Sequence, residues 1–250
     1  MCCFSGKIQT VNDTRIFARM GEQGNQFIAY SMALSTAQDV AMLLPIPVAK
    51  GRGDGAVKFI SLEKYKNFFD DLAKGYPAPW GTFNSPTTAA APSSAQTIIK
   101  VESVGAYDAS FVPSLADFSR LDPRFVLPTE VWQQLPGYRD FGFAVFKLKA
   151  AVAEVHPMAF SFASAKPTSL FFPTVHIHDG MVHDRATFDH TLYCQPTSEH
   201  DSIRWEESPQ LASQFMKVSS SQGLIRPTQH VYRKQMSGRL KNQDVMLALG

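Results

Sequence analysis

The chain has 250 residues, of which 44% are hydrophobic and 18% are charged, and its net charge is +2. This composition excludes a chain that is disordered throughout, and the length is enough for one large domain or two small ones. Because no basic stripe stands out, we expect no nucleic-acid partner. No apolar run reaches the roughly 18 residues of a membrane-spanning helix, so we expect no membrane partner either.

The start of the chain lacks the basic segment and apolar stretch of a secretory signal, which favours a cytoplasmic protein. The three cysteines, Cys2, Cys3 and Cys194, are odd in number and two are adjacent, so they form no disulfide framework. Removal of Met1 would give Cys2 a free α-amine beside its thiol, as in N-terminal nucleophile hydrolases. An amidohydrolase with Cys2 as nucleophile is therefore one hypothesis. In the alternative interpretation, Cys2 and Cys3 are small thiols on a first strand.

The first half of the chain predicts strands, one helix and one loop, in that order. Alternating apolar residues predict a strand over 26–32, and an apolar run ended by two prolines predicts another over 40–47. Apolar residues at helical spacing predict a helix over 62–74, with Ser61 as its cap and Gly75 as its stop. The low-complexity segment 84–96 predicts a flexible loop or linker.

The second half continues the strand pattern and then becomes polar. Strands are predicted over 97–104, 142–149, 158–163, 170–177 and 182–194, and short helices over 114–121 and 128–135. The polar C-terminal segment 207–250 predicts surface helices over 209–218 and 229–249. Taken together, the predicted strands and helices indicate a strand-rich α+β protein with mostly antiparallel sheets and a few short helices, arranged as a single domain over 1–250.

The most informative segment places four of the seven histidines within 15 residues: His176, His178, His183 and His190. The dipeptide Asp179-Gly180 between them is typical of a two-residue type I′ hairpin turn, which needs positive φ at both central positions. In that register His176 lies opposite His183. His176 and His178 then share a face, because side chains alternate along a strand.

Three imidazoles converging from a hairpin are typical of a catalytic zinc site with water in the fourth position, and copper or iron would also accept them. We expect His190 as a fourth ligand, and Asp179 and Asp184 as general base or orienting groups. The leading hypothesis is a metal-dependent hydrolase of an unidentified small-molecule substrate. The alternative is a non-catalytic binding or scaffold module in which the histidines are one polar face. A homodimer is compatible with its apolar strands.

Three short features resemble an uncharacterised bacterial domain family over roughly residues 2–165. They are the closely spaced cysteines at the start, the L-P-x-P strand end at Leu44-Pro45-Ile46-Pro47, and the segment Val104-Gly105-Ala106-Tyr107. The family has no assigned activity, so the resemblance implies no substrate, cofactor or site residue.

Overall fold

The computed structural model describes residues 3–6, 8–76, 102–104, 107–148, 156–196 and 204–249. These residues form fourteen strands: β1 (Cys3–Phe4), β2 (Thr10–Met20), β3 (Asn25–Ser35), β4 (Val40–Ile46), β5 (Val57–Ser61), β6 (Glu102–Val104), β7 (Tyr107–Val112), β8 (Gly142–Leu148), β9 (Met158–Ala163), β10 (Ser169–Phe172), β11 (Arg185–Gln195), β12 (Glu206–Glu207), β13 (Tyr232–Lys241) and β14 (Val245–Ala248).

Helical structure in the described residues is limited to short pieces. The α-helices are α1 (Phe68–Lys74) and α2 (Thr129–Gln133). The 3-10 turns are Glu22–Gly24, Gly53–Ala56, Glu63–Tyr65, Leu115–Arg120, Pro123–Phe125, Pro136–Tyr138, Ala212–Gln214 and Val218–Ser220. No described helix is long and apolar enough to cross a membrane. The cytoplasmic location stays a prediction.

The strands form a five-stranded sheet in the order β1-β4-β8-β7-β6 and a seven-stranded sheet in the order β12-β13-β11-β2-β3-β9-β5. A two-stranded sheet joins β10 to β14. Neighbouring strands are antiparallel except for β11 and β2, which run parallel. The predicted strand-rich fold with mostly antiparallel sheets and few short helices is therefore confirmed.

The two large sheets pack face to face around the largest hydrophobic cluster. Phe146 of β8 meets Phe160 of β9 there, with ring centroids 5.9 Å apart. The outer face of the seven-stranded sheet is covered by α1 and the C-terminal turns, and the outer face of the five-stranded sheet by α2 and its neighbours. Strand β4 is consequently buried along its whole length, which explains its unbroken apolar sequence.

The helices predicted in the polar C-terminal segment are wrong. The range 229–249 contains β13 and β14, and the range 209–218 contains only 3-10 turns. Tyr232, Met236 and Leu240 lie four residues apart, a spacing that fits a helix. The same three residues also lie on one face of a strand, and Lys234 and Gly238 between them hid the alternation.

Other predicted elements differ in detail. The helix predicted over 62–74 is divided into a 3-10 turn and α1, and the one predicted over 114–121 is a 3-10 turn. The predicted linker 84–96 lies outside the described residues. Most of the strand predicted over 97–104 lies outside them too, and β6 is its described part.

Candidate binding site

The hairpin predicted around Asp179-Gly180 is wrong. Gly180 has a φ of +78°, whereas Asp179 has none of the positive φ that a type I′ turn requires. Residues 173–184 instead form a loop between β10 and β11, here called the anchored loop, with a single bridge from Ile177 to Cys3. His183 is therefore not the cross-strand neighbour of His176.

The loop and β11 assemble a different group of three, the histidine cluster of His176, His178 and His190. The ring centroid of His176 lies 5.2 Å from that of His178 and 5.0 Å from that of His190. The ring centroid of Phe188 lies 4.3 Å from that of His176, and the ring centroid of Phe4 lies 5.8 Å from that of His178. The cluster thus joins β1, the anchored loop and β11 in one aromatic contact.

Burial determines the charge of the cluster. Desolvation lowers the pKa of His176 to about 2 and that of His178 to about 4, and it holds the pKa of His190 far below its usual range. The neighbouring rings act in the same direction, because His178 lowers the pKa of His176, and both of these rings lower the pKa of His190. All three imidazoles are therefore neutral near pH 7 and lie against one another as uncharged rings.

Two residues in the turn after β13 hold the loop in place. The side-chain oxygen of Asn242 accepts from His176 N at 2.7 Å, and its amide donates to the carbonyls of His176 and His183 at 2.9 Å each. The carboxylate of Asp244 accepts from the backbone amides of Thr174 and Val175 at 2.8 and 3.0 Å. Both loop ends are thereby tied to the β13–β14 turn.

The remaining residues of the predicted site lie apart from the cluster. His183 Nε2 lies 2.8 Å from Asp179 Oδ2, and both side chains are about half exposed. Asp184 is exposed. Cys194 is buried, which raises the pKa of its thiol, and Cys3 is buried as well. Cys2 lies outside the described residues, so its role as a nucleophile stays a prediction.

Several residues that build the site were missed from sequence. Asn242 and Asp244 lie in a segment interpreted as a surface helix, where their polar side chains carried no distinct signal. Phe188 and His190 share a face because they are two residues apart on β11. This spacing alone was enough to predict that the two side chains are neighbours. Phe4 gave no signal, because its contact with His178 spans most of the chain.

Comparison with known proteins finds no matching family model and no curated protein with significant sequence similarity, so the resemblance to the bacterial family stays a prediction. Among solved structures, the chain is similar to baculovirus P35, with a TM-score of 0.54, 13% identity and 99% of both chains covered. P35 in its complex with caspase-8 gives a TM-score of 0.49 at 13% identity, covering 95% of this chain and 96% of that one. At this identity the likeness shows the fold alone.

These observations correct the leading hypothesis from sequence. In the described part of the chain, no group of three or more His, Cys, Asp or Glu side chains is arranged to hold a metal ion. The structural neighbour with a TM-score above 0.5 is baculovirus P35 rather than a hydrolase. The prediction of a zinc-binding, metal-dependent hydrolase built on His176, His178 and His183 is wrong. The binding-module alternative agrees better with both findings.

Proposed function

We propose that this chain is a non-catalytic binding protein whose partner is a protease of the caspase type. The observation that carries the proposal is the correspondence with baculovirus P35 over 99% of both chains. P35 itself has been crystallised in a complex with caspase-8. A fold shared from end to end supplies the same scaffold for presenting a surface to a protease, although a fold alone does not dictate its partner.

The anchored loop is the proposed contact surface on this scaffold. Binding residues are often found on loops that a rigid scaffold positions. Here the side chains of Asn242 and Asp244 hold the loop through hydrogen bonds to its backbone. Met181 lies in its exposed part with 56% of its surface accessible, the largest value among the described large hydrophobic side chains. Methionine is enriched in protein interfaces, so a partner surface would bury this side chain.

The test is inhibition of purified caspases by the full chain. Caspase-8 and a panel of other caspases are titrated with the chain, and residual activity is measured with a fluorogenic peptide. We expect at least one caspase to lose activity at equimolar chain and to form a complex visible by native mass spectrometry. Full activity across the panel, with no complex, would contradict the proposal. Alkylating the caspase beforehand distinguishes binding that needs its catalytic cysteine from binding that does not.

A matched pair of variants tests the contact surface. Met181→Glu places a charge on the anchored loop, whereas Met246→Glu places the same charge at the other exposed methionine, which is 40% accessible and lies on β14. We expect Met181→Glu to weaken caspase binding roughly tenfold or more, and Met246→Glu to leave it unchanged. If Met181→Glu binds the caspase with wild-type affinity, the contact surface lies elsewhere on the chain. The titration would still test whether the chain binds a caspase at all.

A further inference from the structure

Strand β13 has a long edge that no described strand covers. On one side it pairs with β11 along its whole length, from Tyr232 to Lys241. On the other side β12 reaches only Tyr232 and Arg233, so residues 234–241 have no pairing partner there in the described part of the chain. An edge of this length presents a row of amide and carbonyl groups to which another strand can bind.

The pairing with β12 indicates which groups face the open side. Ser208 N donates to the carbonyl of Val231 at 2.8 Å, so the backbone of Val231 faces β12. Because backbone direction alternates along a strand, the amides and carbonyls of Gln235 and Ser237 face the same way. Both of these residues are exposed.

The edge is strongly basic. β13 contains Arg233, Lys234, Arg239 and Lys241 and no acidic residue. Arg185 lies opposite Lys241 on β11 and donates to the carbonyl of Arg239 at 2.8 Å. Arg185, Arg239 and Lys241 form no ion pair with any residue that the structure describes. The nearest acidic residue on the same face of β11, Asp189, accepts a hydrogen bond from the amide of Asp13 at 2.7 Å.

The covered end of β13 shows what this edge accepts. The short strand that pairs there, β12, consists of Glu206 and Glu207. The carboxylate of Glu206 lies 2.6 Å from Arg233 Nη2, so backbone pairing and charge pairing occur together. The uncovered end repeats the basic pattern without the acidic strand.

The charge of β13 favours another protein over a second copy of this chain as the occupant. Antiparallel pairing of two β13 edges would place basic side chains against basic side chains, which is unfavourable.

We propose that residues 234–241 of β13 bind an extended acidic segment of a partner protein, which adds a strand to the seven-stranded sheet as β12 does. Backbone hydrogen bonds supply affinity in this mode, and the basic side chains select the acidic sequence. This surface goes beyond the proposed function, because it requires neither the anchored loop nor a protease.

The first test uses a fluorescein-labelled peptide of alternating Glu and Val, with fluorescence anisotropy of the full chain as the readout. We expect saturable binding that weakens tenfold or more in Arg239→Glu/Lys241→Glu. The matched control is Lys66→Glu/Arg139→Glu, which makes the same change in net charge at exposed residues elsewhere and should bind as the wild type does. No saturable binding, or equal binding of a peptide of alternating Lys and Val, would overturn the proposal.

The second test separates strand addition from simple charge attraction. Ser237→Pro removes one outward amide without changing charge, and a proline is tolerated on the open side of an edge strand. N-methylation of alternate residues of the peptide removes its own donors and leaves the protein intact, so it remains decisive if the variant fails to fold. We expect both changes to abolish binding. Binding that neither Ser237→Pro nor N-methylation of the peptide weakens would overturn the proposal. A wild-type dimer that Ser237→Pro converts to monomers would overturn it as well.

Discussion

At the residue scale, Asp244 connects three parts of the molecule that are distant in sequence. Its carboxylate accepts from Tyr138 Oη at 2.5 Å and from the amides of Thr174 and Val175. Tyr138 belongs to the cluster behind the five-stranded sheet, and the two amides begin the anchored loop. One side chain therefore sets the position of the loop relative to the core.

Removing this carboxylate should loosen the loop and lower the stability of the fold. We expect Asp244→Ala to reduce the free energy of unfolding by about 2 kcal/mol, because three donors lose their acceptor. Urea denaturation measures the change. Asp140→Ala is the control, since it breaks only the exposed ion pair with Lys50 and should cost less than about 1 kcal/mol. Equal losses in the two variants would contradict the assigned role of Asp244.

At the same scale, the histidine cluster makes the free energy of unfolding depend on pH. Burial lowers the pKa of His178 from 6.5 to about 4, so between these values the unfolded chain binds more protons than the folded one. The stability contributed by the neutral ring is complete above pH 6.5 and is lost as pH falls towards 4. His176 and His190 shift in the same direction.

We therefore expect the free energy of unfolding to fall as pH decreases from 7 to 4.5, and His178→Gln to make this slope shallower. Urea denaturation at a series of pH values measures both slopes. His183→Gln, at the exposed histidine of the same loop, provides the control and should keep more of the wild-type slope. A slope that His178→Gln leaves unchanged would assign the acid sensitivity to other groups.

At the scale of elements, period-two alternation predicted strands well where one or both faces were strongly apolar. The strand predicted over 158–163 coincides with β9, and the one over 142–149 differs from β8 by one residue. The predictions failed where an exposed strand carried charged residues, as in β13. They also failed at the Asp179-Gly180 dipeptide, because the local turn preference was overridden by the long-range contacts of Asn242 and Asp244.

The candidate site was predictable only in part for the same reason. Sequence spacing placed His176 and His178 close together, and the structure agrees. The choice of His190 over His183 as third member depends on β11 lying between β2 and β13. That parallel pairing of β11 with β2 connects residues more than 170 positions apart, so no local pattern encodes it.

Close contact between elements gives a prediction at Gly142, where β8 begins. A Cβ atom there would lie 2.6 Å from the ring of Phe111 on β7, a distance that requires the ring or one of the two strands to shift. We expect Gly142→Ala to lower the free energy of unfolding by about 1–3 kcal/mol. Gly137→Ala is the matched control, because no atom lies within 4 Å of its Cβ position. Thermal unfolding compares them, and equal midpoints would show that the strands adjust without cost.

At the scale of the whole molecule, both large sheets are covered on their two faces, and the cluster between them contains the contact of Phe146 with Phe160. A shared cluster makes each sheet depend on the other for burial. We therefore expect the two sheets to unfold in one cooperative transition, so that fluorescence and far-ultraviolet circular dichroism report the same midpoint. The single domain predicted from the sequence would behave in this way, whereas two separable domains would give two midpoints.

A double-mutant cycle tests the coupling between the sheets directly. Phe146→Leu and Phe160→Leu each remove part of a fully buried ring, and the rings touch, so we expect their effects on the free energy of unfolding to differ from additivity by about 0.5–1.5 kcal/mol. Phe68 lies in the separate cluster beneath α1, so Phe146→Leu and Phe68→Leu should add to within about 0.5 kcal/mol. Additivity in both cycles would show that the sheets contribute to stability independently, and the scaffold proposed to present the anchored loop would then not be one rigid unit.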